Sequence, residues 1–424
     1  MLLKKINNIL GPGLLFASTS IGVSHLVQST RAGANYGFAL LGIIIAANLF
    51  KYPFFEFGSR YASATGESII DGYNRLGKPV IWTYFIVTLG SMFFVMSAVG
   101  FVTVGFLDNL FNLSSLWPNF KLFPTLLLYV ICCSILLIGK FNILDNLIKI
   151  IGVVLVISTL LAFGLTLFHG PAVQLSGFIA PPIFDKVGIL FIIALMGWMP
   201  TALDLCTWNS LWTIEKIKTS GYKPSLKETL TEFNAGYLLA AVLSICFLTM
   251  GAYFLYGTGI KMPEGSGSFA SQVITLYTNT IGDWSYIIIS ASAFSIMFST
   301  SITVFDGYAR AIERTSEILI LSKEKTHKAQ QNSKTYNISL LVLSIGSFLI
   351  IAMFLSHFKL LIDLATTISF LIAPFIAITN LILVQKKYVG EEAEPSIPMK
   401  ILSYLGIVFL VVFAIFFLYT KFNG

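Results

Sequence analysis

Two apolar segments of the chain carry polar and metal-ligating side chains near their middles, where a segment that only packs has no need of them. The first contains His25, preceded by Ser24 and followed by Gln28, and the second contains Met199 and Asp204. Imidazole and thioether groups bind borderline metal ions, and an imidazole or a carboxylate can also carry a proton. The chemistry that these residue types allow is therefore cation binding or proton transfer.

Each of these residues also has a plainer interpretation. His25 could be a metal ligand, a proton acceptor or a packed side chain, and Met199 could be a soft ligand or a core residue. Asp204 could replace a missing ligand, carry a proton, or form a salt bridge with Lys51, which lies inside another apolar segment. Gln28 lies three residues after His25, on the same helical face, and could line the same cavity.

The composition places these segments in a membrane. Of the 424 residues, 56% are hydrophobic and only 11% are charged, whereas an ordinary soluble domain is about 25% charged. So few charges cannot cover a soluble globule of this size, and lipid must be part of the solvent. The four cysteines lie within apolar stretches, which does not favour disulfides or a zinc site. The net charge of +7 lies mostly in short loops and does not indicate nucleic-acid binding.

Because a helix needs about 20 apolar residues to cross the membrane, the sequence predicts eleven spans. Their backbone groups must be satisfied within each segment, so the spans are helices. The fold class predicted is an all-α integral membrane protein with a single transmembrane domain over residues 1–424. The predicted spans are 9–32, 39–61, 79–107, 122–139, 146–168, 187–212, 230–256, 284–309, 336–356, 360–384 and 401–419.

Lysine and arginine cluster in the loops on one side of these spans, for example at Lys4 and Lys5, and at Lys386 and Lys387. Because basic loops stay in the cytoplasm, this pattern predicts a cytoplasmic N-terminus and an external C-terminus. A bacterial cytoplasmic (inner) membrane fits best. The segment 268–279 is too polar to span and is predicted to be a surface helix, and the loop 310–334 is predicted to be partly helical.

The first and sixth spans are predicted to be broken helices. In the sixth, Gly197 and Pro200 flank the centre; proline removes a backbone donor and glycine lowers the cost of unwinding. Unwound backbone survives at membrane depth only where it is buried or lines a cavity, and such breaks at matching positions of two halves mark a transporter site. The spans then form a five-plus-five inverted repeat of the LeuT type, with repeats of about 9–168 and 187–384 and an accessory helix at about 401–419.

At this point the sequence resembles the Nramp (natural resistance-associated macrophage protein) family of divalent-metal transporters. Gly11-Pro12-Gly13 is similar to the family's opening of helix one, and residues 31–38, RAGANYGF, are similar to its end. Ala47-Asn48-Leu49 matches helix two. Met199-Pro200 matches the MP of the MPHN motif in helix six, and Pro374-Phe375 resembles the LPF of helix ten.

The resemblance implies a ligand set from which this chain departs. The family's DPGN motif falls on Gly22-Val23-Ser24-His25, so its carboxylate is missing and His25 takes the asparagine position. The methionine ligand is kept as Met199, with a carbonyl ligand at Met196. The two histidines after MP fall on Thr201 and Cys206, and the helix-ten glutamine on Thr366. The helix-three acidic positions align with Met96 and Val99.

The resulting prediction is a secondary transporter for a divalent metal cation (Mn, Fe or Mg-like) working by alternating access. Its metal or substrate residues are expected to be Gly22, Ser24, His25, Met196, Met199, Thr201 and Thr366; Gln28, Asp204 and Lys51 are expected to serve coupling or the pathway. The alternative is a transporter of a small organic solute or monovalent cation. The metal ion is substrate, no cofactor is expected, and the only partner expected is the lipid bilayer. A receptor is disfavoured by the lack of a sensing domain, and an enzyme by the lack of a catalytic motif.

Overall fold

The computed structural model describes residues 10–117, 119–260, 262–263, 265–320 and 334–423, and within these ranges the regular structure is helical. The first half of the chain contains the helices α1 to α7 and a π-helical segment, Ser24–Ser29. The α-helices are α1 (Pro12–Ser20), α2 (Thr30–Tyr36), α3 (Leu41–Thr65), α4 (Ile69–Leu76), α5 (Lys78–Phe111), α6 (Leu113–Leu116) and α7 (Phe123–His169).

The second half begins with two helices that share one predicted span. They are α8 (Lys186–Gly197) and α9 (Leu205–Ser220). The helices that follow are α10 (Leu226–Leu255), α11 (Ser266–Ile281), α12 (Tyr286–Ile320), α13 (Lys334–Met353), α14 (Phe358–Leu383), α15 (Lys386–Val389) and α16 (Ile397–Asn423), with a 3-10 turn at Asp283–Ser285.

Seven helical stretches among the described residues are long and apolar enough to cross a membrane. They are Lys78–Phe111, Phe141–His169, Leu226–Leu255, Tyr286–Ile320, Lys334–Met353, Lys359–Leu383 and Ile397–Thr420. Helix α3 is as long as these but contains Lys51, Glu56 and Arg60, all buried within the protein. Helices α8 and α9 are short because the chain leaves the helix between them.

Helix α7 covers the region where the sequence predicts two spans, 122–139 and 146–168. A straight helix of its 47 residues would be about 70 Å long. Its start packs on Trp117 near the end of α5, and Ala172, just after its end, donates to the carbonyl of Tyr253 near the end of α10. In its middle, Asp145 accepts from Lys216 near the end of α9 at 2.8 Å. The structure thus has one continuous helix where the sequence predicts two spans.

Two further segments refine the sequence predictions. The region 268–279 is the helix α11, with Phe269, Val273 and Ile274 buried on one face and Ser271 exposed on the other. Helix α12 extends to Ile320, so the start of the predicted loop 310–334 is helical; its residues 321–333 lie outside the described part of the chain. Helix α4 was not predicted from the sequence, although a Ser68–Asp71 capping box marks its start.

Helix α10 is the element against which the first interrupted helix packs, because it contacts α1, the π segment, α2 and α3. The contact with α2 is backbone on backbone. A Cβ atom at Gly33 would lie 2.0 Å from the carbonyl oxygen of Leu248, far inside van der Waals contact. Only glycine permits this approach, so the sequence places one where the two helices meet.

Candidate functional site

The first interruption separates α1 from the π segment. Helix α1 ends at Ser20, and Ile21 and Gly22 leave the helical conformation before the chain winds again. Gly22 lies against α12, since a Cβ atom there would be 2.5 Å from the hydroxyl oxygen of Thr300. That hydroxyl donates to the carbonyl of Ser18 at 2.9 Å, which gives an acceptor at the end of α1 a partner from outside its own helix.

The second interruption is longer. Residues 198–204, from Trp198 to Asp204, are non-helical and buried. Helix α8 approaches α14 closely here, because a Cβ atom at Gly197 would lie 2.0 Å from the carbonyl oxygen of Thr366. The hydroxyl of Thr366 donates to carbonyls of its own helix, Ile362 at 2.9 Å and Asp363 at 3.1 Å. Thr366 thus meets the interruption through its backbone, and its predicted ligand role stays a prediction.

The two interruptions face each other inside the bundle. The hydroxyl oxygen of Ser29, in the π segment, lies 4.0 Å from the sulfur of Met199, and both residues have no exposed surface. Beside them is a narrow cavity whose polar lining includes Thr19, Ser24 and Thr201. Most of the rest of its lining is apolar and includes Val95, Val99, Trp198 and Leu205. The cavity therefore offers hydroxyl groups and apolar surface, and no charged side chain of the described residues lines it.

Lys51 reaches the second interruption from α3. Its ammonium nitrogen donates to the carbonyl oxygens of Met196 at 3.0 Å, Gly197 at 3.1 Å and Thr201 at 2.8 Å, and the residue has no exposed surface. The carbonyls of Met196 and Gly197 lie at the end of α8 and that of Thr201 lies within the interruption, so one ammonium group bonds three main-chain acceptors at once. The carbonyl of Met196, which the family resemblance implies as a metal ligand, is occupied by this lysine.

Asp204 does not pair with Lys51, unlike the salt bridge considered from the sequence. Its carboxylate accepts from the hydroxyl of Tyr308 on α12 at 3.1 Å. Lys51 is held by the carbonyls and Asp204 by the tyrosine. Tyr308 was not predicted from the sequence, because a tyrosine within an apolar span gives no signal of which distant helix it will contact.

His25 points away from the second interruption. Its Nε2 lies 2.8 Å from the carbonyl oxygen of Ala240 on α10 and therefore donates to it, and its Nδ1 lies 2.7 Å from the hydroxyl of Ser24. The ring is fully buried and packs edge-on against Phe247. Both ring nitrogens thus have partners in this conformation, one in the π segment and one on α10. The ligand role predicted for His25 and Ser24 stays a prediction.

Gln28 belongs to a polar cluster near the start of α14, with Arg31 and Asp363. Arg31 donates to the side-chain oxygen of Gln28 at 2.8 Å and to Asp363 at 2.8 Å, and Gln28 donates to Asp363 at 3.3 Å. The cluster joins the second half of the first interrupted helix to α14. Arg31 is 7% exposed and lies over the ring of Phe191.

We expect Asp363→Asn to lower the free energy of unfolding by less than about 1 kcal/mol, because the aspartate side chain is 36% exposed and water screens its pair with Arg31. The measurement is denaturant unfolding in mild detergent at low salt and at 1 M salt, where the mutant and the parent should converge. A loss well above this value that persists at high salt would contradict the expected screening.

The described residues do not gather a metal-binding cluster, since no group of three or more His, Cys, Asp or Glu side chains is placed to hold an ion. The oxygen and sulfur atoms that could ligate an ion near the contact between Ser29 and Met199 belong to these two side chains and to the carbonyls at the end of α8. Met96 and Val99, which align with the family's acidic positions, are apolar and buried. The carboxylate that lies closest in sequence to either interruption is Asp204.

A bundle of apolar helices organised around two interrupted helices that touch near its centre defines a class, the LeuT-type integral membrane proteins. A model of the family described as natural resistance-associated macrophage protein-like, Nramp, matches residues 13–420. The chain therefore belongs to the Nramp family, and its family and fold are those of transporters rather than enzymes.

A curated relative and several solved structures match nearly the whole chain. An uncharacterized protein of Pasteurella multocida is 35% identical over 413 residues, covering 96% of this chain and 91% of that protein. The manganese transporter of Eremococcus coleocola superposes with a TM-score of 0.69 at 14% identity, covering 98% of this chain and 86% of that one. MhsT in complex with L-phenylalanine superposes with a TM-score of 0.60 at 14% identity, covering 95% and 98%. At such identities the structural likeness establishes the fold alone.

Proposed function

We propose that this protein is a secondary transporter that carries a divalent metal cation across the membrane by alternating access around the two interrupted helices. The observation that carries the proposal is the meeting of Ser29 and Met199 at 4.0 Å, in the buried centre of a chain of the Nramp family. Helix ends with unwound carbonyls are suited to hold a cation at membrane depth. The manganese transporter of the same fold supports the choice of cargo.

The proposal includes the architecture predicted from the sequence. Eleven spans, arranged as two inverted groups of five and an accessory helix formed by α16, would put the start of α1 inside and the end of α16 outside. The basic loops support this orientation, and a bacterial cytoplasmic membrane is the proposed location. Reporter fusions placed after α15 and after α16 test it: we expect a cytoplasmic signal from the first and an external signal from the second.

The ligands available to a metal ion near the meeting point are the thioether of Met199, the hydroxyl of Ser29 and the carbonyl of Met196. Thioether and carbonyl groups suit a borderline ion better than magnesium, which favours carboxylate and water. An ion that took the Met196 carbonyl would have to displace the ammonium group of Lys51. No proton route is proposed, because the family's acidic positions are apolar here.

A second candidate is favoured by that same lysine. The chain's own ammonium group already occupies the helix-end carbonyls, and the adjoining cavity presents hydroxyls and apolar surface without a charge. The chemistry of this lining suits a small organic solute better than a bare ion, and helix ends also accommodate monovalent cations. The cavity volume of about 20 Å³ holds about one water molecule, so an organic solute requires the cavity to widen. MhsT, of the same fold, was solved in complex with L-phenylalanine.

Uptake into proteoliposomes separates the two candidates. If a metal is carried, the protein should accumulate manganese, and Met199→Ala should weaken its apparent affinity by about tenfold or more, which corresponds to about 1.4 kcal/mol of lost binding energy. Met353→Ala is the matched control, since that methionine is 76% exposed. His25→Ala, assayed in parallel, tests the predicted histidine ligand.

The opposite result would remove the metal proposal. If the wild-type protein neither binds nor transports manganese, zinc or magnesium, while amino acids or other small solutes accumulate, the organic-solute candidate takes its place. Isothermal titration of the purified protein with each metal gives the binding measurement independently of transport.

A further inference from the structure

We propose that the ammonium group of Lys51 is a resident cation: it fills a cation site made by the carbonyl oxygens of Met196, Gly197 and Thr201 and thereby excludes a free cation from it. Lys51 would then determine which cargo the second interruption can take. The inference rests on the arrangement of interrupted helices in the proposed function, and it does not depend on the identity of the cargo.

The contact geometry is that of a filled site. An ammonium group has three N–H donors and no acceptor, and the three carbonyl oxygens lie 2.8 to 3.1 Å from the nitrogen of Lys51. The side chain of Lys51 is 0% exposed. The donors and acceptors therefore match one to one, away from water.

The charge balance explains why a cation belongs there. The C-terminal end of α8 carries partial negative charge from the helix dipole. The carbonyl of Met196 also accepts from the amide of Met199 at 3.4 Å, and a carbonyl oxygen has a second lone pair for a further donor. Burying a lone ammonium group would be costly, and the three carbonyls supply its partners. Phe55, on the same helix as Lys51, presents its π-face with the ring centroid 5.9 Å from the nitrogen. The site and the lysine therefore stabilise each other.

The position of Lys51 on α3 makes the arrangement specific. Helix α3 packs against α8, α9, α10 and α14, so the lysine enters the interruption from a fixed neighbouring helix. The methylene groups of Lys51 carry its ammonium group from the α3 backbone to the carbonyls, so the cation at this site is part of the chain. Removing the side chain should leave a small buried space lined by the same three carbonyls. The ligands that fit such a space are primary alkylammonium ions, which replace both the stem and the charge.

The test is chemical rescue of Lys51→Ala, using the full-length protein purified in mild detergent. We expect the variant to melt at a lower temperature than the wild type. Propylammonium chloride should raise its melting temperature in a saturable manner, with an apparent affinity at least tenfold higher than for the wild type. Tetramethylammonium chloride at equal concentration has the charge but no N–H donor, and it should have no such effect.

Two variants serve as controls. Lys223→Ala removes an exposed loop lysine and should behave as the wild type does in both salts. Lys51→Met keeps an apolar stem without the charge, so it should melt below the wild type and gain little from propylammonium, because the methionine fills the space. If Lys51→Ala folds only when propylammonium is present throughout purification, that result also supports the site.

Three outcomes would overturn the inference. They are an unchanged melting temperature for Lys51→Ala, an equal response to propylammonium and tetramethylammonium, or failure to recover folded Lys51→Ala even with propylammonium present. The result is separable from the proposed function. A wild-type protein that transports no metal would end the metal proposal and leave the rescue intact, whereas absence of rescue would end the inference and leave manganese transport intact.

Discussion

Glu232→Ala should lower the free energy of unfolding by about 3–5 kcal/mol, the range expected when one partner of a buried charged network is removed. The carboxylate of Glu232 accepts from the backbone amides of Gly11 at 3.0 Å, Gly13 at 2.8 Å and Leu14 at 3.3 Å. These are the amides at the start of α1, which have no intrahelical acceptor, and the helix dipole adds to their attraction for a negative charge. The mutation would leave them buried and unpaired.

Denaturant unfolding in mild detergent measures the effect. Glu232→Gln keeps a neutral acceptor and should lose about half as much, since hydrogen bonds to a charged group are roughly twice as strong as neutral ones. Glu391→Ala is the control, because that side chain is 78% exposed. A change below about 1 kcal/mol for Glu232→Ala would mean that water replaces the carboxylate at the start of α1.

Asp306→Ala is expected to have a comparable effect, a loss of about 3–5 kcal/mol. The carboxylate is 1% exposed. It accepts from the indole of Trp212 at 2.8 Å, the guanidinium of Arg310 at 2.7 Å and the hydroxyl of Tyr336 at 2.8 Å. These donors lie on α9, α12 and α13, so one side chain connects three helices.

The same unfolding measurement tests this prediction, with Asp283→Ala as an exposed control. Asp306→Asn should be intermediate, because the amide keeps one acceptor but no charge to balance Arg310. If Asp306→Ala were as stable as the parent, the prediction would be wrong. The cost of removing the Asp306 carboxylate and Arg310 from water would then equal the energy gained from their attraction, as in some buried ion pairs.

The sequence predicts much of the helical framework because lipid imposes a simple requirement on it. Runs of about 20 apolar residues locate the helices, and their observed ends fall within a few residues of the predicted ones, as for α5 and α14. Proline and glycine mark the second interruption, where Gly197 ends α8. The short helix α4 was missed because its eight residues are too few to register as a span.

The contacts at the candidate site could not be predicted in the same way. Lys51 and the carbonyl of Met196 are 145 positions apart, and no local pattern encodes such a pairing. The direction of His25 depends on the π segment, where the wider turn rotates side chains relative to an α-helix. Spacing rules based on 3.6 residues per turn therefore put His25 and Gln28 on one face, whereas His25 contacts α10 and Gln28 contacts α14 residue Asp363.

The glycine contacts of α10 have a consequence for how the bundle can move. Besides Gly33 on Leu248, a Cβ atom at Gly236 would lie 2.2 Å from the carbonyl oxygen of Gly13, so α10 touches both halves of the first interrupted helix through bare backbone. Where two backbones touch directly, no flexible side chains lie between the helices to adjust when one helix shifts against the other. In the proposed alternating-access cycle, we therefore expect the two halves of that helix to move together with α10. The displacement that opens one side of the membrane and closes the other is then expected at the partners of the second interruption.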